Sequence, residues 1–112
     1  NRMELELEQA KLYFETQGDK SNPPLVLWHG AGCTLRMWDL VVEQLKDLYF
    51  TIAFDVRCAG NSINNDLNED AYSFQQYSED LNSSLNVLDI NQVHLWSQYL
   101  WRQRHDKLRI EP

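Results

Sequence analysis

The 112-residue sequence is poor in the features that mark several classes of protein. It has two cysteines, Cys33 and Cys58, which are too few for a disulfide framework and fit a reducing cytoplasm. Only 4 Gly and 3 Pro stand beside 43% hydrophobic residues, a composition that disfavours disorder. No apolar run approaches the length of a membrane-spanning helix, and the N-terminus has no hydrophobic signal core.

Basic residues are also scarce, and they are unevenly placed. The formal net charge of -7 argues against nucleic acid and against an anionic membrane surface as partners. Residues 1–101 contain 6 Lys and Arg against 15 Asp and Glu, whereas residues 102–112 contain 4 against 2. We therefore divide the chain into a domain portion, residues 1–101, and a divergent basic tail, residues 102–112.

Hydrophobic periodicity predicts five strands. Met3, Leu5 and Leu7 alternate with glutamates, and with residues 11–16 they predict a β-hairpin at the edge of a sheet. Two continuous apolar runs follow, residues 25–28 and 50–54, and they predict strands buried inside the sheet. Residues 93–96 are predicted to form the last strand.

Two helices are predicted between these strands. Thr34 is a suitable N-cap for a helix with one apolar stripe, formed by Trp38, Val41, Val42, Leu45 and Leu48. Ser73 and Gln76 form a capping box for a second helix, whose apolar face consists of Phe74, Tyr77, Leu81, Leu85 and Leu88. The polar stretch 55–70 is either a functional loop or mobile. The alternation predicts an α/β fold with a mostly parallel sheet and helices on both faces.

Three motifs fit this pattern in order and spacing. The first is His29-Gly30-Ala31-Gly32 with Trp38 downstream; the second is Asp55-Val56-Arg57-Cys58-Ala59-Gly60-Asn61-Ser62; the third runs from Tyr72-Ser73-Phe74 to Asp80-Leu81. With them, residues 12–98 resemble the N-terminal half of an α/β-hydrolase of the esterase, lactonase and haloperoxidase-like type. The second motif resembles that family's D-x-R-G-x-G-x-S, with Cys58 in place of the first glycine.

The resemblance implies an oxyanion-hole loop at His29, Gly30, Ala31 and Gly32. Its glycines let the backbone approach the substrate, and the Ala31 N–H would donate a hydrogen bond to the oxyanion. The Leu100 N–H would be the second donor, and His29 would order the loop. Residues 55–62 would mainly brace the site. Full-length relatives would hydrolyse a small ester, lactone or similar acyl compound, and no cofactor or metal is implied.

The nucleophile motif departs from the family. In the G-x-S-x-G pattern, the glycine positions hold Ser97 and Trp101, and the serine position holds Tyr99. A large residue collides in this strained turn, and a phenol with a pKa of about 10 has no base beside it. The family's acid and histidine come from later strands. We therefore expect a truncated chain without an intact catalytic residue.

Other candidate residues have plain structural interpretations. Ser97 as nucleophile would need glycines at 95 and 99, and His105 has no partner in the tail. His94 fits a structural or exposed histidine. Cys33 and Cys58 are expected as small buried thiols, although a disulfide between them is an alternative. The acidic residues of the polar stretch are expected as solvated charges rather than a cation site: Asp66, Glu69 and Asp70.

Two explanations of the chain are open. A reading-frame slip near codons 98–101 would account for Trp101 and the reversal of charge. Alternatively, the chain is a non-catalytic module whose open edge strand, residues 93–96, binds a partner or a complementary fragment. Enzymatic activity would require the missing half to be supplied in trans.

Overall fold

The computed structural model describes residues 1–30 and 32–97. Short 3₁₀ turns precede both helices, at Leu35–Trp38 and Glu69–Tyr72. The other elements, in chain order, are strands β1 (Arg2–Leu7), β2 (Ala10–Gln17) and β3 (Pro24–Trp28), helix α1 (Asp39–Leu45), strands β4 (Phe50–Phe54) and β5 (Ile63–Asn64), helix α2 (Phe74–Val87) and strand β6 (His94–Ser97).

The strands form one mixed sheet in the order β1-β2-β4-β3-β6, with β5 paired to β2. The predicted hairpin is confirmed, with Leu5 opposite Leu12. β2 also pairs with β4 in the antiparallel direction, whereas β4, β3 and β6 run parallel to one another. The α/β fold class is therefore confirmed, with the parallel strands in the half of the sheet that follows the hairpin.

Helices cover both faces of the sheet, and β3 shows how the sequence separates them. Val26 and Trp28 face the core cluster that contains α2, whereas Leu25 and Leu27 face the cluster that contains α1. Successive side chains of a strand point to opposite faces, so a strand between two helical layers is apolar at every position. This is why β3 reads as an unbroken apolar run.

The first helix is shorter than predicted. The Thr34 hydroxyl accepts a hydrogen bond from the Arg36 N–H, but it caps the 3₁₀ turn, and α1 begins only at Asp39. Trp38 and Val42 are buried as expected. The assignment of Leu48 to the stripe is wrong, because α1 ends at Leu45 and Leu48 is 64% exposed.

The second helix matches its predicted face. Tyr77, Leu81 and Leu85 are buried, and Phe74 and Leu88 pack against the same cluster. The Ser73 hydroxyl accepts from the Gln76 N–H at 3.1 Å. The reciprocal half of the capping box is replaced, because the Gln76 amide instead donates to Asp80 at 3.0 Å.

Strand β6 begins one residue later than predicted, and it pairs in parallel with β3, with Ser97 opposite Trp28. None of the helices in residues 1–30 and 32–97 combines the length and the apolar character needed to cross a membrane.

Candidate functional site

The first two motifs meet at the carboxyl ends of two neighbouring strands, β3 and β4. His29 directly follows β3 and Asp55 directly follows β4, and Trp28 and Phe54, the last residues of these parallel strands, lie side by side. Ligand sites of open α/β sheets lie at the carboxyl ends of strands. The topology therefore joins two loops that are 26 residues apart in the sequence at the expected position.

His29 links the two loops through both ring nitrogens. Its Nε2 accepts a hydrogen bond from the Val56 N–H at 2.9 Å, and its Nδ1 lies 2.7 Å from the Gly30 carbonyl oxygen. Because a carbonyl only accepts and an N–H only donates, the proton must reside on Nδ1. The geometry thus assigns the neutral Nδ1–H tautomer.

Burial reinforces this assignment. His29 is 1% exposed, and this burial lowers its pKa, against the opposing influences of the Gly30 carbonyl and the Asp55 carboxylate. Asp55 Oδ1 lies 4.0 Å from Nε2. The Val56 N–H already occupies the basic lone pair, so in this arrangement the ring orders the loop and does not act as a general base.

The loop after His29 turns tightly. The Cys33 N–H donates to the Gly30 carbonyl at 3.3 Å, and Gly32, the third residue of this turn, has φ +84°. Positive φ at the third position of such a turn is a conformation that glycine adopts without steric cost. The two proposed oxyanion donors, Ala31 and Leu100, lie outside the described residues.

Asp55 fixes this loop to the next one. Its Oδ1 accepts from the Leu35 N–H at 2.8 Å, and its Oδ2 accepts from the Asn61 N–H at 2.9 Å. Its own backbone N–H donates to the Tyr13 carbonyl, and the Ser62 hydroxyl donates to its carbonyl at 2.7 Å. The Asp55 carboxylate therefore connects the segment that follows β3 to the second motif, and the Asp55 backbone N–H connects both to β2.

Backbone conformation explains two positions of the second motif. Gly60 has φ +52°, and a Cβ there would lie 2.3 Å from Asp55 Oδ2, so only glycine fits. Cys58 has φ +65°, a conformation that costs an L-residue roughly 1–2 kcal/mol. The glycine that Cys58 replaces in the resemblance thus corresponds to a left-handed backbone position.

Arg57 and Asp80 form a buried ion pair beneath these loops. Arg57 Nε and Nη2 donate to the two Asp80 oxygens at 2.9 and 2.8 Å, and Nη1 donates to Asn64 Oδ1 at 2.9 Å. The hydrogen bond to Asp80 raises the pKa of Arg57. The side chains are 2% and 3% exposed, and the pair ties α2 to the second motif.

The sequence analysis did not identify this pair, although the sequence contains a signal for it. Asp80 lies three residues after Tyr77 and one before Leu81, on the buried face of α2. Arg57 is the only Lys or Arg between Lys46 and Arg102. Since buried charges need partners, an acid on an apolar helix face and a lone arginine are natural candidates to pair.

The remaining candidates fall into two groups. Tyr99, Trp101 and His105 lie outside the described residues. Ser97 is buried at the end of β6, and His94 is exposed on β6, with its ring 5.6 Å from that of Tyr49 in an edge-on contact. The expectation that Tyr99 replaces the serine of the nucleophile motif therefore stays a prediction.

The cysteines and the acidic stretch also have defined positions. No disulfide joins Cys33 and Cys58, and Cys58 is exposed, which corrects the expectation of a small buried thiol there because its left-handed turn faces solvent. Asp66 Oδ1 accepts from the Asn68 N–H at 2.9 Å, a local turn contact. Within the described ranges, no group of three or more His, Cys, Asp and Glu side chains is arranged to hold a metal ion.

No protein-family model matches the chain, and the comparison with curated proteins found no match. Solved structures do match. A candidate epoxide hydrolase from Pseudomonas aeruginosa is 23% identical, with a TM-score of 0.79 over 88% of this chain and 33% of that one. A hydrolase from Pseudomonas aeruginosa PA01 is 26% identical, with a TM-score of 0.75 over 87% and 36%. A candidate lipase from Acinetobacter baumannii is 21% identical, with a TM-score of 0.78 over 85% and 31%.

The chain thus spans about a third of the length of these solved structures. Between 85% and 88% of this chain is covered in these comparisons. Residues 1–30 and 32–97 therefore adopt the N-terminal part of the α/β-hydrolase fold.

Proposed function

We propose that this chain is an α/β-hydrolase-fold protein that carries the residues bracing an oxyanion site but is inactive by itself. Full-length relatives would hydrolyse small esters, lactones or similar acyl compounds through a serine nucleophile. The observation that carries the proposal is the junction of His29 with Gly30 and Val56, which orders the loop expected to hold the Ala31 donor.

Inactivity follows from the residues that would have to react. Tyr99 occupies the serine position, and a tyrosine hydroxyl needs a base to become a nucleophile. His29 cannot supply that base in the described arrangement, since Val56 occupies its Nε2 lone pair. Residues 1–101 would therefore act as a scaffold, and the basic tail 102–112 has no catalytic role in the proposal.

The test is hydrolysis of p-nitrophenyl acetate and butyrate by the purified chain. We expect a rate equal to the uncatalysed rate and unchanged in Tyr99→Phe, with Ser97→Ala as the matched control for the neighbouring serine. Saturable hydrolysis that either substitution abolishes would refute inactivity. A stoichiometric acyl adduct on either residue would do the same.

A second candidate function is that of a non-catalytic binding module. It is supported by strand β6, which lies at the end of the strand order. β6 pairs with β3 on one side, and among the described strands none pairs with its other side. Trp96 on this strand is 45% exposed. The partner in this alternative is a protein or complementary fragment that adds a strand to β6.

Sedimentation velocity of the chain with a fragment that supplies the rest of such a sheet tests this alternative. We expect a complex that is weakened by Trp96→Glu and not by Leu67→Glu, a matched control because Leu67 is 99% exposed and lies away from β6. Unchanged sedimentation in the mixture would contradict it.

We place the protein in the cytoplasm, a proposal supported by two cysteines that form no disulfide.

A further inference from the structure

His29 is a titratable group that is held in one protonation state by two backbone partners. The Val56 N–H donates to Nε2, and the Nδ1–H donates to the Gly30 carbonyl. An imidazolium would carry a proton on both nitrogens. The Val56 N–H would then face another N–H and lose its acceptor, so proton uptake and the Val56 hydrogen bond exclude each other.

A second acceptor for the new proton is close by. Asp55 Oδ1 lies 4.0 Å from Nε2, about 1 Å beyond the usual length of a charge-assisted hydrogen bond. That oxygen already accepts from the Leu35 N–H, and its partner oxygen accepts from the Asn61 N–H. A shift of Asp55 toward the imidazolium would therefore disturb both loops.

The electrostatic surroundings of the ring are simple. β3 and β4, which lead into this junction, contain no ionisable residue, and β6 contributes only His94, which is exposed against Tyr49. Arg57 is held by Asp80. Among the residues described, Asp55 is the charged group that faces the imidazole. Burial lowers the pKa of His29, and Asp55 opposes this shift.

We propose that His29 is a proton-operated latch between the two loops. Uptake of one solvent proton at Nε2 detaches the Val56 N–H and pairs the ring with Asp55, which loosens the junction. Above the pKa of His29 the latch is closed, and the oxyanion-type loop is held against the second motif. The latch can be tested whether or not the protein is inactive as a hydrolase, because the experiment measures hydrogen bonds rather than turnover.

The experiment is nuclear magnetic resonance of the full ¹⁵N-labelled chain between pH 7.5 and 5. We expect the Nδ1–H tautomer of His29 at pH 7.5. The open fraction of the Val56 amide, which is the inverse of its protection factor, should rise about tenfold for each pH unit toward the pKa of His29, since the protonated fraction rises by that factor. The Ile52 amide in β4 is the internal control and should keep its protection.

His29→Gln is the matched variant, because a glutamine oxygen can accept from the Val56 N–H but cannot titrate. Its Val56 protection should be independent of pH. An Nε2–H tautomer at pH 7.5, a constant Val56 protection in the wild type, or the same pH dependence in His29→Gln would overturn the proposal. The wild-type measurements decide it even where the variant fails to fold.

Discussion

Replacing Asp80 with asparagine tests the buried ion pair that joins α2 to the second motif. Asp80 accepts two hydrogen bonds from Arg57 and one from Gln76, and it is 3% exposed. Asparagine has nearly the same shape, so it removes the charge without leaving a cavity. Its NH₂ group also turns a donor toward the guanidinium donors, and Arg57 becomes a buried charge without a counterion.

The expected loss of stability follows from leaving the buried Arg57 charge unpaired. Removing one partner of a buried ion pair typically costs about 3–5 kcal/mol. A domain of this size has a free energy of unfolding of roughly 0.05–0.15 kcal/mol per residue, about 6–17 kcal/mol in total. Asp80→Asn should therefore remove a large fraction of the stability and lower the midpoint of urea unfolding accordingly.

Asp39→Asn is the matched control. Asp39 lies 3.6 Å from Arg36, but both side chains are more than half exposed, and exposed pairs contribute about 0–1 kcal/mol. Unfolding followed by tryptophan fluorescence in urea measures both variants, and an unchanged denaturant slope verifies that the same transition is compared. Equal losses in the two variants would refute the reasoning.

The double variant Asp80→Asn with Arg57→Gln separates the pair from its surroundings. If the cost arises from the unpaired Arg57 charge, the double variant should be more stable than the sum of the two single losses predicts. Additive losses would show instead that Asp80 acts through Gln76 and the helix.

Three further predictions concern the junction of the loops. Gly60→Ala should destabilise the protein by about 1–3 kcal/mol through the clash with Asp55, and by more than the control Gly32→Ala, whose Cβ has nothing within 4 Å; equal losses in urea unfolding would contradict the clash. Cys58→Gly should raise stability by up to about 1 kcal/mol, because it relieves a left-handed backbone at an exposed position; a lower midpoint would be the wrong sign. The pKa of His29 is lowered on folding, so the unfolded chain takes up the proton first, and stability is full above the unfolded pKa of about 6.5. As the pH falls from there toward the folded pKa, the wild type should lose about 1.4 kcal/mol per unit more than His29→Gln, and parallel pH profiles of the two proteins would contradict this.

Local sequence patterns were sufficient for most of the fold. The alternation of Leu5 and Leu7 with glutamates predicted the hairpin, and the stripe of Tyr77, Leu81 and Leu85 predicted the buried face of α2, because both patterns depend on fixed backbone periods. The start of α1 was less predictable. A Thr34 cap is compatible with either a 3₁₀ or an α turn, and only the packing of Trp38 and Val42 against the sheet selects between them.

The sequence by itself determined the order of the five predicted strands and two helices, although not β5, and it placed Gly32 in the loop after β3 and Tyr99 where a serine would be expected. Only the tertiary structure decided the tautomer of His29, the two backbone partners of the Asp55 carboxylate and the pairing of Arg57 with Asp80. The reason is physical. Each of these states depends on at least one atom that is 20 or more residues away in the chain. Such atoms meet only when the sheet brings the ends of β3 and β4 together and α2 packs against it.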